Sequence, residues 1–136
     1  MTKQNMEECL RQYEVRRQQI QQEIDHRLNL DLLDEDGYPT EDALYIVEHW
    51  VGDAPSWLRL VKSLWNYAEM TWDLQQGEAD GNNQAKQEVQ VSTFGWSGNE
   101  SLIGAMERNF ILWSMHWVQS RRGGHYIFEI DAAAQL

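Results

Sequence analysis

One cysteine, two prolines and no long apolar run narrow the field before any motif is considered. Cys9 has no second thiol to pair with, so no internal disulfide forms, and no Cys or His stands at zinc-ligand spacing from it. No stretch approaches the roughly 20 apolar residues of a membrane span, and MTKQNMEECLRQYEVRRQQ holds no secretory core. These gaps predict a cytoplasmic protein without membrane contact or a bound metal. Lysine and arginine are missing altogether between Asp31 and Asp53, where eight acids fall: Asp31, Asp34, Glu35, Asp36, Glu41, Asp42, Glu48 and Asp53. Residues 1–30 balance five bases with five acids, so most of the net charge of -11 lies in that one acidic stretch. Such a surface repels phosphate backbones, which argues against direct nucleic-acid binding, and attracts a basic groove on another protein. Asp31, Asp34, Glu35, Asp36, Glu41, Asp42 and Glu48 are therefore the candidate partner-binding residues.

Aromatic residues are plentiful. Seven Trp, five Tyr and three Phe in 136 residues mark a folded chain, and 16.0 kDa suits one domain that buries roughly two-thirds of its unfolded surface. Within that domain the patterning separates a helical half (1–74), an exposed loop (75–86) and a β-α-β half (87–136). The expected class is α+β, mostly helical, with three N-terminal helices packed on a C-terminal β-α-β unit.

Met6, Leu10, Tyr13, Ile20, Ile24 and Leu28 recur in steps of three and four, with Arg17 in the one slot that should be apolar. This predicts a helix over the first thirty residues, with a seam narrow enough to pair with another helix, within the chain or between chains. DEDG at 34–37 has the look of a calcium loop, but the count puts Leu32 and Ala43 at its end-ligand positions, so a turn is expected. Thr40 is an N-cap, and Glu41 and Asp42 suit the positive end of the helix that follows. Asp53 caps a third helix whose stripe runs from Trp57 to Trp72, with its tryptophans read as core.

The second half opens with a strand (QEVQVSTF), then GWSGNE, then a helix to about Ser120, then a strand (HYIFEI). Ser97 and Glu100 have capping-box spacing. Arg121 and Arg122 fall at the helix C-terminus, and Gly123 and Gly124 are read as its stop. The two strands are expected to run parallel in a sheet too small to stand alone, which predicts a homodimer that extends it.

GWSGNE offers Ser97, Gly98 and Asn99 at a helix N-terminus, where free amides suit an anion. RRGGHY offers Arg121, Arg122 and His125, with Glu129 on the face of His125. The helix between them, twenty-odd residues at 1.5 Å each, sets the two turns roughly 30 Å apart, so only a neighbouring subunit could reunite them. No catalytic residue and no cofactor is assigned.

DEDGYPTEDALYIVEHW (Asp34 to Trp50) and STFGWSGNESLIGAMERNFILWSMHWVQSRRGGHYIFEI (Ser92 to Ile130) resemble an uncharacterised family of small acidic proteins encoded by phages and prophages. The resemblance implies expression inside a bacterial host and an accessory role. It transfers no catalytic residue. Together with the charge it points to protein binding, including inhibition of a host defence protein. The alternative is a small enzyme or a nucleotide- or anion-binding protein that uses GWSGNE with RRGGH from a neighbour.

Overall fold

The computed structural model describes residues 2–77, 81 and 85–131. Among them the helices are α1 (Lys3–Arg27), α2 (Glu41–His49), α3 (Ala54–Leu64), α4 (Ala68–Thr71), α5 (Ser97–Arg108) and α6 (Phe110–His116). The strands are β1 (Trp72–Gln76), β2 (Lys86–Ser92), β3 (Trp117–Arg121) and β4 (His125–Asp131). The class is α+β, mostly helical, with four helices before the first strand and α5 and α6 between β2 and β3.

Local chemistry starts the N-terminal helices where their sequences do. Thr40 Oγ1 accepts the Ala43 amide at 3.2 Å to open α2, and Asp53 Oδ1 accepts the Ser56 amide at 2.7 Å to open α3. Arg27 ties α1 to α2: its guanidinium bonds Glu23 at 2.9 Å and Asp42 at 2.7 Å and lies 4.1 Å from the centre of the Tyr45 ring.

The helix expected to run through Trp72 stops at Leu64. Asn99, fully buried on α5, accepts the Asn66 amide at 2.9 Å and donates to the Asn66 carbonyl at 3.1 Å. This clamp takes both backbone groups that the helix would need, and Tyr67 turns left-handed (φ 57°). Trp72 then falls in β1, so the helical half contains a strand. Gln75 and Gln76, expected in the loop, are its last two residues, and half of that loop lies outside the described residues.

The helix expected to run to about Ser120 also breaks. Asn109 is buried, accepts the Leu112 amide to restart the chain as α6, and donates to the Val47 and Trp50 carbonyls at 3.2 and 3.1 Å. From Trp117 the chain is extended, and Arg121 and Arg122 belong to a β3–β4 hairpin instead of a helix end. Gly123 and Gly124 make its turn at φ 83° and 74°.

Strand order is β1-β2-β4-β3, with every neighbour antiparallel. The β-α-β unit exists, but it links β2 to β3. Both run antiparallel to β4, which lies between them. HYIFEI therefore pairs with β2 antiparallel and not parallel as expected, because β3 and its glycine turn reverse the chain once more. Four strands also remove the argument that a second copy is needed to complete the sheet. Val89, Val91, Phe128 and Ile130 join the core with Trp57, Leu58 and Val61 of α3 and Leu102 and Met106 of α5, so the tryptophan stripe is core at Trp57 and Trp65. By register, the opposite face carries Asp73, Gln75, Glu88, Gln90, Ser92, His125 and Glu129.

Candidate functional site

The acidic stretch divides by what each carboxylate does. Asp34 shapes its own turn, accepting the amides of Asp36 and Tyr38 at 2.9 Å each, while Leu33 and Pro39 close the turn as a bridge with Gly37 at φ 85°. This is the turn expected at DEDG. Asp42 is held by Arg27, Glu48 by Arg108 at 2.9 Å, and Asp53 is a helix cap. The Ser56 hydroxyl and amide, in that order, hold the Asp53 carboxyl below the usual carboxylate range. Asp31, Glu35, Asp36 and Glu41 are exposed, and their carboxylates engage no hydrogen bond or ion pair among the described residues.

Thr40 locks this turn in place, its hydroxyl donating to the Asp31 carbonyl at 2.9 Å and its amide to the Leu32 carbonyl at 3.0 Å. Tyr38 leaves the turn to stack on Trp96, ring centres 4.6 Å apart. Pro39 lies against Gly98, where an added Cβ would come within 3.1 Å of Pro39 Cδ and 2.6 Å of Trp96 Nε1. The acidic turn is thus packed directly on the GWSGNE turn.

The two glycine turns meet in one chain, contrary to the expected separation. Ser92 and His125 are cross-strand partners, the Thr93 amide donates to the Gly124 carbonyl at 2.9 Å, and a side chain at Gly124 would run into Thr93 Oγ1. The expectation failed because it placed His125 after a long helix, whereas α5 and α6 are both short and β3 carries the chain back.

The side chains at this corner are largely engaged in structure. Ser97 is the first residue of α5 and is exposed, the cap position is Trp96, and no side-chain cap bond forms, so the capping box is absent. Gly98 is covered by Trp96 and Pro39, and Asn99 clamps Asn66. Arg121 and Arg122 are exposed, and His125 is half-buried. Glu129 shares its face, but four strand residues at about 3.3 Å each put it roughly 13 Å away, with buried Ile127 between. They are too far apart to exchange a proton.

Two residues not expected here define the corner's outer rim. Tyr67 and Phe94 (φ 41°) are the non-glycine residues with positive φ among the described residues, each a strain of roughly 1–3 kcal/mol, and their rings meet edge to face at 5.6 Å. Both rings are exposed. Phe94 was legible as the residue before Gly95 in a tight turn. Tyr67 carried no local signal, since its conformation is imposed by Asn99.

No family model, curated protein or solved structure matches this chain. Among the described residues no helix is long and apolar enough to cross a membrane, and no three His, Cys, Asp or Glu side chains group as metal ligands would.

Proposed function

We propose that this is a phage- or prophage-encoded accessory protein that works in the bacterial cytoplasm by binding a host protein through its acidic turn, as an inhibitor of a defence or nucleic-acid-binding protein would. The observation that carries this reading is the composition of one surface. Four unpaired carboxylates, on Asp31, Glu35, Asp36 and Glu41, project from a segment locked by Asp34 and Thr40, and that segment packs through Tyr38 and Pro39 on Trp96 and Gly98, next in sequence to Phe94, whose exposed ring meets that of Tyr67. Charge steers a basic partner, and rigid aromatic rings anchor it at low entropic cost. Asp34, Asp42 and Glu48 contribute by holding the surface, not by touching the partner.

The test is capture from infected bacteria with tagged protein, comparing wild type with Asp31→Asn, Glu35→Gln, Asp36→Asn and Glu41→Gln combined. A partner held by wild type at about 50 mM salt, released near 300 mM and bound at least about tenfold more weakly by the variant supports the reading. Identical retention by both proteins removes it.

The meeting of the two glycine turns favours a second reading, an anion- or nucleotide-binding protein built on Ser97, Arg121, Arg122 and His125. The cover over Gly98 ranks it second. Stabilisation by nucleotides in a thermal-shift screen, lost in Ser97→Ala with His125→Ala, would promote it.

A further inference from the structure

Along residues 3–19 no side chain of α1 is buried, and the first buried one is Ile24. A helix of that length without packing is marginal in water. Its seam is open: Met6, Leu10 and Tyr13 are 53%, 58% and 62% exposed, in steps of four and three. Across from it, α6 presents Ile111 and Met115 at 66% and 69% exposure, four residues apart on one face. Between the two helices lies a depression of about 230 Å³ whose lining includes Tyr13, Arg17, Trp50, Ile111 and Leu112.

We infer that two copies of this chain pair through α1, antiparallel, each sending Met6 into the depression between α1 and α6 of the other. Charge singles out the occupant. Residues 1–30 sum to zero in a chain of net charge -11, and Ile111 and Met115 add none, so this is the side on which a second copy approaches with least repulsion. The seam is also self-complementary. With Leu10 opposite Tyr13 of the second copy, the heptad steps put Met6 opposite Arg17. Arg17, the misfit in an apolar seam, then stands beside Glu7 of the second copy, whereas a parallel in-register pair would set Arg17 against Arg17. The area suffices as well. Met6, Leu10, Tyr13, Ile111, Met115 and Phe110 are each more than half exposed, and with the helix surface between them they offer on the order of 800 Å² per copy, which is what a standard interface takes.

Sedimentation velocity of the full chain between about 1 and 100 μM tests this. The expected result is a shift toward twice 16.0 kDa at the upper end. Leu10→Glu with Tyr13→Glu should remain monomeric throughout, and its near-ultraviolet dichroism should match wild type because both residues are exposed. Glu7→Arg should weaken association about fivefold, and adding Arg17→Glu should restore it. A wild type that stays at 16.0 kDa, a dimer that survives the Leu10 and Tyr13 changes, or a charge swap that restores nothing each overturns the inference. These variants leave the acidic turn intact, and an apolar seam tolerates the salt that strips a charge-steered partner. Failure here therefore leaves the proposed partner surface standing, and the converse also holds.

Discussion

α1 and α5 are both amphipathic, yet α5 is half swallowed by the core while α1 stands nearly clear of it. The difference is in the width of the apolar stripe. On α5 the buried residues come as adjacent pairs, Leu102 with Ile103 and Ala105 with Met106, so they cover a broad arc that meets both the sheet and α2. On α1 the apolar residues come one per turn, and Ile24 alone is buried. A broad stripe is covered by its own chain, and a narrow one is left for another helix.

The sharpest way to break this comparison is to truncate one residue on each helix. Met106→Ala should cost about 2–5 kcal/mol in urea unfolding, because it opens a cavity in a fully buried cluster. Leu10→Ala, measured where the chain is dilute, should stay within about 0.5 kcal/mol of wild type. Comparable losses at both sites would mean that α1 is folded back on the body in solution.

A smaller effect tests whether α5 also organises what precedes the sheet. Asn99→Ala leaves the Asn66 amide and carbonyl without their partners and should cost about 1–3 kcal/mol. Hydrogen exchange should speed up at Asn66 and Tyr67 more than along α3. Uniform loss of protection would show that the clamp is not a local device.

The smallest effect compares helix starts. Asp53→Ala should cost about 1 kcal/mol at neutral pH, while Ser97→Ala, which removes no cap bond, should cost almost nothing. The Asp53 carboxyl is depressed in the folded state by Ser56, so its contribution is complete above the unfolded value near 3.9 and fades as pH falls through the lower folded one. The gap between Asp53→Ala and wild type should therefore close on acidification below about pH 4. A gap that persists at pH 2 would point to a role other than capping.

Features governed by a few adjacent residues were legible in the sequence: the helix of α1, the caps at Thr40 and Asp53, the turn at DEDG and the core tryptophans Trp57 and Trp65. Features imposed from far along the chain were not. Asn99 ends a helix begun more than thirty residues earlier, and Asn109 reaches the Val47 and Trp50 carbonyls from across the core. Neither asparagine differs in local context from one that faces water. Once those breaks were missed, the extra strand β3 was missed too, and the glycine turns were placed at opposite ends. In the acidic stretch, sequence located the charge but could not distinguish the carboxylates that build the segment from those that face out, since Arg27 and Arg108 reach Asp42 and Glu48 from other helices.

The order β1-β2-β4-β3 carries a consequence for biogenesis. β2 is complete at Ser92, but its inner neighbour β4 is made last among the described strands, with α5, α6 and β3 synthesised in between. Until His125–Asp131 emerges from the ribosome, one side of β2 offers bare amides and carbonyls to any extended chain nearby. Closure of the sheet is thus a late event, and a nascent chain stalled before His125 would be a candidate for chaperone capture or degradation.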